Sequence, residues 1–195
     1  MNREEVLKEF KDAGALLEGH FILSSGLHSS KYLQCALALS DPSRAERLSF
    51  ALGKMILENI KEKIDIVVSP AMGGLIIGHE IARFLKVPSI FLERVNSKFE
   101  LRRGFTIKSN TNCLLVEDIV TTGLSSNESI KVIKSFGGIV VGEACLIDRS
   151  GGNNDLETKL ISLTTVDIPV FNKDNIPENL KNIPAIKPGL SLIHI

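Results

Sequence analysis

Glu117 and Asp118 stand side by side where the apolar run Leu114-Leu115-Val116 ends, and Thr121-Thr122-Gly123 follows after Ile119-Val120. Two adjacent carboxylates can accept hydrogen bonds from sugar hydroxyls or face a hydrated cation such as Mg²⁺. A short turn of small residues lets backbone N–H groups converge on a phosphate at the start of a helix, where the dipole also favours negative charge. Acids beside a phosphate repel it unless a sugar or a cation lies between them, so the combination points to a phosphorylated sugar. The competing reading is an ordinary strand, turn and helix with exposed acids, which leaves the order of residue types unexplained.

Three further segments carry chemistry-bearing residues at places where a strand is expected to end. Ser69-Pro70-Ala71-Met72-Gly73-Gly74 has glycines that permit close backbone approach to a phosphate-like group. The stretch Glu93 to Gly104 holds Arg94, Lys98, Arg102 and Arg103, suited either to solvent or to an anion. Asp148-Arg149-Ser150-Gly151-Gly152 places a guanidinium immediately after an apolar run.

The elements that must position these groups follow from periodicity. Residues 4–18 and 43–63 repeat apolar positions at helical spacing. Strands are expected over Ile64 to Ser69, Ser89 to Glu93, Asn112 to Val116 and Ile139 to Ile147, with helices over Leu75 to Leu85 and Ser126 to Phe136. Ser125-Ser126-Asn127-Glu128 reads as a capping box at the start of the latter helix. Strands alternating with helices predict an α/β fold with a doubly wound, mainly parallel sheet. In such sheets ligands bind beyond the carboxyl ends of the strands. One domain is expected over residues 1–195, with a core over about 43–167 and a small hood formed by about 1–40 and an irregular tail from Ile168.

Composition restricts the function classes. Lysine plus arginine and aspartate plus glutamate number 23 each, so there is no basic field for nucleic acid or an anionic membrane, and an anion site must be local. The N-terminal segment is charged and no run approaches the length of a membrane span, which predicts a cytoplasmic protein. Cys35, Cys113 and Cys145 lack metal-ligand spacing and read as reduced thiols, two of them within apolar runs. The four histidines show no metal spacing either.

Glu117-Asp118-Ile119-Val120-Thr121-Thr122-Gly123 resembles the 5-phosphoribosyl-1-pyrophosphate (PRPP) motif of type I phosphoribosyltransferases. Gly19-His20-Phe21-Ile22-Leu23-Ser24-Ser25-Gly26-Leu27-His28-Ser29, followed by Tyr32, resembles the N-terminal signature of orotate phosphoribosyltransferases, and Arg149 stands where that family has an orotate-binding arginine. The resemblance implies transfer of the phosphoribosyl group from PRPP to N1 of orotate, giving orotidine 5′-monophosphate and pyrophosphate in pyrimidine synthesis. It implies that Glu117 and Asp118 engage the ribose hydroxyls, and that Ile119, Val120, Thr121, Thr122, Gly123, Leu124 and Ser125 surround the 5′-phosphate. By the same resemblance Met72, Gly73 and Gly74 form a pyrophosphate turn, and Arg94 and Lys98 lie on a mobile loop that closes over pyrophosphate in a partner subunit. Thr121, Arg149, Ser24 and Tyr32 would contact orotate. Lys98 would join Asp118 and Glu117 as catalytic groups, in a homodimer with shared sites and with Mg²⁺ carried by PRPP. Ser24, Gly73 and Val95 replace lysines of the family's best-known branch.

Two rivals share part of this pattern. A purine or uracil phosphoribosyltransferase would need the acidic motif but not the Gly-His-Phe segment or Arg149. A PRPP- or nucleotide-sensing regulator on the same fold would be expected to carry a basic face or an added domain.

Overall fold

The computed structural model describes residues 1–23, 26–152 and 155–188. Ser24, expected at the orotate site, lies outside these residues. The chain opens with helix α1 (Arg3–Asp12), held by a reciprocal capping box between Asn2 and Glu5. The helix ends where Gly14 takes φ +63° and Ala15 donates its N–H to the carbonyl of Phe10. The amphipathic pattern over residues 4–18 therefore runs past the helix into the next element: Leu16 and Leu17 belong to strand β1 (Leu16–Ile22), paired antiparallel with β2 (His28–Leu33). A one-residue shift of conformation at a glycine redirects apolar residues from a helical stripe to a strand.

Short helix α2 (Cys35–Leu39) leads to α3 (Pro42–Asn59), where Asp41 caps two backbone N–H groups and Pro42 occupies the first turn. The core strands are β3 (Ile66–Pro70), β4 (Ser89–Val95), β5 (Lys98–Leu101), β6 (Asn112–Val120), β7 (Ile139–Asp148) and β8 (Leu160–Thr165). Helix α4 (Gly74–Leu85) follows β3 and α5 (Leu124–Ser135) follows β6. The six strands are ordered β5-β4-β3-β6-β7-β8, with β5 alone antiparallel to its neighbour. This is the expected α/β fold with a mainly parallel sheet.

Packing explains the apolar, non-alternating strands. One face meets α1, α2, α3 and α4 through Phe10, Leu48, Leu52, Ile56, Ile77, Ile81, Leu114 and Val116; the other meets α5 through Val68, Leu92, Leu115, Ile130 and Ile133. Both faces are covered, so both side-chain sets must be apolar. Each such fully buried Leu or Ile contributes about 1.5–3 kcal/mol through surface removed from water.

Two expectations change. The polar stretch after β4 is an antiparallel β4–β5 hairpin rather than an open loop: Asn96 and Ser97 take positive φ at its two-residue turn, and Phe99 is buried beneath the Arg94 guanidinium, 4.0 Å away. Strand β8 was missing from the sequence reading, because its mixed composition only becomes strand-like when paired with β7. The tail supplies β9 (Val170–Phe171), which joins β1 and β2 in a three-stranded sheet, and a short helix α6 (Glu178–Lys181). That small sheet is built from the N-terminal segment and the tail, the parts expected to form a hood. Its hairpin is tied to the tail by reciprocal bonds, Ile22 N–H to Ile186 O and Ile186 N–H to His20 O, each 2.8 Å. No helix among the described residues is long and apolar enough to cross a membrane.

Candidate active site

Strand β3 is followed by β4 on one side, whereas β6 returns to its other side, so the strand order reverses between β3 and β6. A crevice opens at the carboxyl ends of strands at such a reversal. Two of the segments expected to carry chemistry meet there. A Cβ on Gly73 would lie 2.6 Å from one carboxyl oxygen of Asp118, and a Cβ on Gly74 would lie 2.9 Å from the Val116 carbonyl. The turn after β3 thus approaches the end of β6 more closely than any side chain would allow. Gly73 caps α4 in right-handed helical geometry, the Ala71–Met72 peptide is cis, and Met72 is 82% exposed at the mouth of the crevice.

Glu117 is buried at 6% exposure and accepts a hydrogen bond from the Ser126 hydroxyl of α5, 3.1 Å away. Burial raises its carboxyl to about 8, helped by the charges of Glu143 and Asp118 and opposed by Ser126 and Arg94. Asp118 is raised as well, chiefly by burial, while backbone N–H groups and the neighbouring Cys35 thiol hold it down. Between β6 and α5, Thr121, Thr122 and Leu124 are exposed and Gly123 is buried. The capping box expected at Ser125–Glu128 does not form. Gly123 is the cap, in left-handed geometry at φ +76°, and no side chain bonds the first turn of α5. The helix starts two residues earlier than its serines suggested, because glycine reaches this conformation without steric cost. Its opening N–H groups are left to an external acceptor.

Arg149 follows β7, and its backbone N–H bonds the Val120 carbonyl at 2.8 Å, placing it beside the end of β6. Among the described residues its buried guanidinium Nε has no hydrogen-bond partner, and burial lowers the group's affinity for its proton. Tyr32 of the small sheet lies within the fields of Asp118 and Arg149, with burial raising its hydroxyl, and its ring packs against Phe21 at 5.8 Å. The small sheet and the core sheet therefore bring an aromatic ring, a cation and the Asp118 carboxyl group together.

The hairpin cations are arranged differently. Arg94 pairs with Glu128 of α5 at 2.8 Å and donates to the Ser97 carbonyl at the turn. Glu93 holds Arg103 in a close ion pair and Arg102 at 3.8 Å. Lys98 is exposed, and no acid among the described residues pairs with it. Of these groups Arg94 alone reaches the field of Glu117.

The family described as Phosphoribosyl transferase domain matches residues 40–178. Orotate phosphoribosyltransferase of Parvibaculum lavamentivorans is 53% identical over 97% of this chain and 97% of its own length. That of Methylorubrum extorquens is 54% identical over 97% and 96%. The chain belongs to the orotate phosphoribosyltransferase family. The crystal structure of orotate phosphoribosyltransferase from Aeropyrum pernix agrees, with a TM-score of 0.68 at 30% identity over 82% of this chain and 93% of that one. Adenine phosphoribosyltransferase from Thermoanaerobacter pseudethanolicus, at a TM-score of 0.61 and 21% identity over 70% of this chain and 88% of that one, shares the fold.

Three features of this phosphoribosyltransferase escaped sequence reading. Cys35 lies against Asp118 and Glu128 pairs with Arg94, both across elements distant in sequence. Glu143, a charged residue inside the apolar run of β7, was a visible signal. The close approach at Gly73 also gives a direct test. Gly73→Ala fits the backbone, at φ −58°, but its methyl group would displace the Asp118 carboxyl. Turnover is expected to fall about 10²-fold, the usual cost of an ångström of misplacement, with little change in thermal midpoint. Steady-state kinetics and a melting curve measure both; full activity would show that Asp118 does not act from its observed position.

Proposed function

We infer that this enzyme transfers the 5-phosphoribosyl group of PRPP to N1 of orotate. The bond from ribose C1 to pyrophosphate breaks with its electron pair leaving on pyrophosphate, the C1–N1 bond forms, and N1 gives up its proton. The observation that carries the reading is the position of Arg149, whose buried Nε has no hydrogen-bond partner among the described residues, beside Tyr32, which also lies within the field of Asp118. A buried donor lacking an acceptor favours a ligand that brings one, and orotate is a planar carboxylate that matches the guanidinium fork.

In this reading Glu117 and Asp118 hold the ribose hydroxyls and oppose the positive charge that develops at C1. Ile119, Val120, Thr121, Thr122, Gly123, Leu124 and Ser125 enclose the 5′-phosphate, with the uncapped start of α5 supplying N–H donors. Met72, Gly73 and Gly74 line the pyrophosphate side, and Thr121, Tyr32 and Arg149 hold the base together with Ser24. Arg94 and Lys98 meet the departing charge. Mg²⁺ supplies neutralisation of pyrophosphate when bound. The exposed threonines of the turn and the carboxyl groups at the strand end are oxygen donors, which suit a hard cation carried by the substrate's phosphates. Hood and core act as one catalytic unit, two copies of the chain share their sites, and the three buried free thiols suit the reducing cytoplasm.

The test is loss of orotate absorbance with PRPP and Mg²⁺, run beside hypoxanthine, adenine and uracil. Consumption of orotate alone is expected; turnover of another base in its place overturns the reading. Arg149→Ala is expected to weaken orotate by about 1.5–3 kcal/mol, the value of a charge-assisted bond, and PRPP far less. Arg149→Lys should restore part of this, because an ammonium lacks the planar fork. Calorimetric titration of each ligand decides: equal weakening of both would make Arg149 structural.

A further inference from the structure

Beneath α5 lies a second carboxyl group that the phosphoribosyl chemistry above does not use. Glu143 stands in the middle of β7 at 0% exposure; among the described residues neither of its carboxyl oxygens has a geometrically formed hydrogen bond, and the Ser126 hydroxyl opposes the effect of its burial. In the parallel register Leu115 lies opposite Glu143 and Glu117 opposite Cys145. Glu143 and Glu117 are therefore diagonal neighbours on one face of the sheet. Helix α5 closes that face. Its Ser126 hydroxyl donates to Glu117, and Ser129, fully buried one turn on, has an Oγ without a partner.

Among the described residues no cation pairs with Glu143. The titratable groups around the two acids are Asp118 on β6, Cys145 on β7, Arg94 on β4 and Glu128 on α5, and the Arg94 guanidinium is already engaged by Glu128 at 2.8 Å. An unpaired carboxylate in such surroundings is strongly disfavoured, and two neighbouring ones more so.

We propose that Glu143 is a positioning residue for the reaction: it shares one proton with Glu117 in the empty enzyme and so sets whether Glu117 meets the ribose as a carboxylate or as a carboxyl group. The proposal rests on the assignment of Glu117 to the ribose hydroxyls. When PRPP binds, the shared proton resides on the enclosed Glu143, and Glu117, closer to the crevice, carries the charge. Burial raises Glu143 to about 7, as burial first and the Glu143 charge second raise Glu117 to about 8, and two acids so coupled titrate as a pair.

The experiment is the pH dependence of kcat/KM for PRPP, which reports the free enzyme, in the wild type, Glu143→Gln, Glu143→Leu and Glu117→Gln. The wild-type acid limb is expected between about pH 7 and 8. The limb marks protonation of Glu117 while Glu143 already holds the shared proton, so Glu143→Leu, which removes the hydrogen bond that carboxyl group gives Glu117, should move the limb up by about one unit, and Glu143→Gln, whose amide can still donate, should move it less. A merely structural role would lower the whole curve without moving the limb, and a limb that stays in place in both variants overturns the proposal.

Thermal stability of the ligand-free protein gives a readout independent of PRPP. Both acids bind protons more tightly folded than unfolded, so their contribution is full below the ordinary value of 4.5 and is lost as pH rises towards 7 and 8. Glu143→Gln should flatten that loss. If Glu117→Gln leaves the kinetics with PRPP untouched while Glu143→Gln still flattens the stability curve, the ribose assignment fails and the pairing stands. If neither Glu143 variant folds, infrared difference spectra of the wild type decide: the carbonyl band of a protonated carboxyl group at pH 7, lost in Glu117→Gln, is expected, and its absence overturns the pairing.

Discussion

Asp118→Asn is expected to lower kcat about 10²–10³-fold, the size usual for removing one preorganised electrostatic group, while PRPP affinity changes far less. The side chain is nearly isosteric, so the close approach of Gly73 and the Cys35 thiol beside the carboxyl are preserved. In the proposed reaction, what is lost is a negative charge facing a carbon that becomes cationic only on the way to the transition state. Ground-state binding of the neutral sugar needs hydrogen-bond acceptors more than charge, and the amide keeps one of them. Stability should hold or rise, because burial already disfavours ionised Asp118. Single-turnover kinetics beside a melting curve separate the two effects. An unchanged kcat would remove Asp118 from the chemistry, and a fall in kcat matched by a collapse of the melting point would make its role structural.

The second large effect concerns Lys98. Every arginine of the β4–β5 hairpin has an acid partner in its own chain, Arg94 with Glu128 and Arg102 and Arg103 with Glu93, whereas Lys98 begins β5 exposed and has none among the described residues. A mobile ammonium beside a tight turn is suited to reach an anion outside its own fold. With the proposed shared sites, Lys98→Ala and Asp118→Asn homodimers should each lose about 10²-fold or more in turnover. Mixing them under conditions of subunit exchange should restore activity, because each heterodimer pairs an intact Lys98 with an intact Asp118 at one of its two sites. About half of the wild-type rate per heterodimer is expected if the sites act independently. Native mass spectrometry counts the heterodimers. Mixed dimers that stay inactive would show that Lys98 serves its own subunit or has no part in the reaction.

The chemistry at the centre of the site was legible because it is local. In Glu117 to Gly123 the residues that end the strand, form the turn and start the helix are contiguous, and each type has a physical reason to be there. The same holds for Arg149, which follows directly on an apolar run, and for the glycines after β3. Local reading failed where pairing decides conformation. The charged stretch from Arg94 became a hairpin because Phe99 and Leu101 could be buried against the sheet edge, and Leu16 and Leu17 became strand once β2 was beside them. Serines at the start of α5 looked like caps, yet a glycine two residues earlier could enter left-handed geometry and began the helix first.

By itself, then, the sequence determined the local layout of the candidate site, paired acids at a strand end followed by a small-residue turn and a helix start, because strand period, turn chemistry and helix start are properties of neighbouring residues. Only the tertiary structure decided which distant groups surround those acids. Strand order set Gly73 against Asp118, parallel register set Glu143 beside Glu117, the small sheet set Tyr32 within the field of Asp118, and α2 set Cys35 beside it. Burial among those partners, which no contiguous stretch of chain encodes, is what raises the carboxyl groups of Glu117 and Asp118.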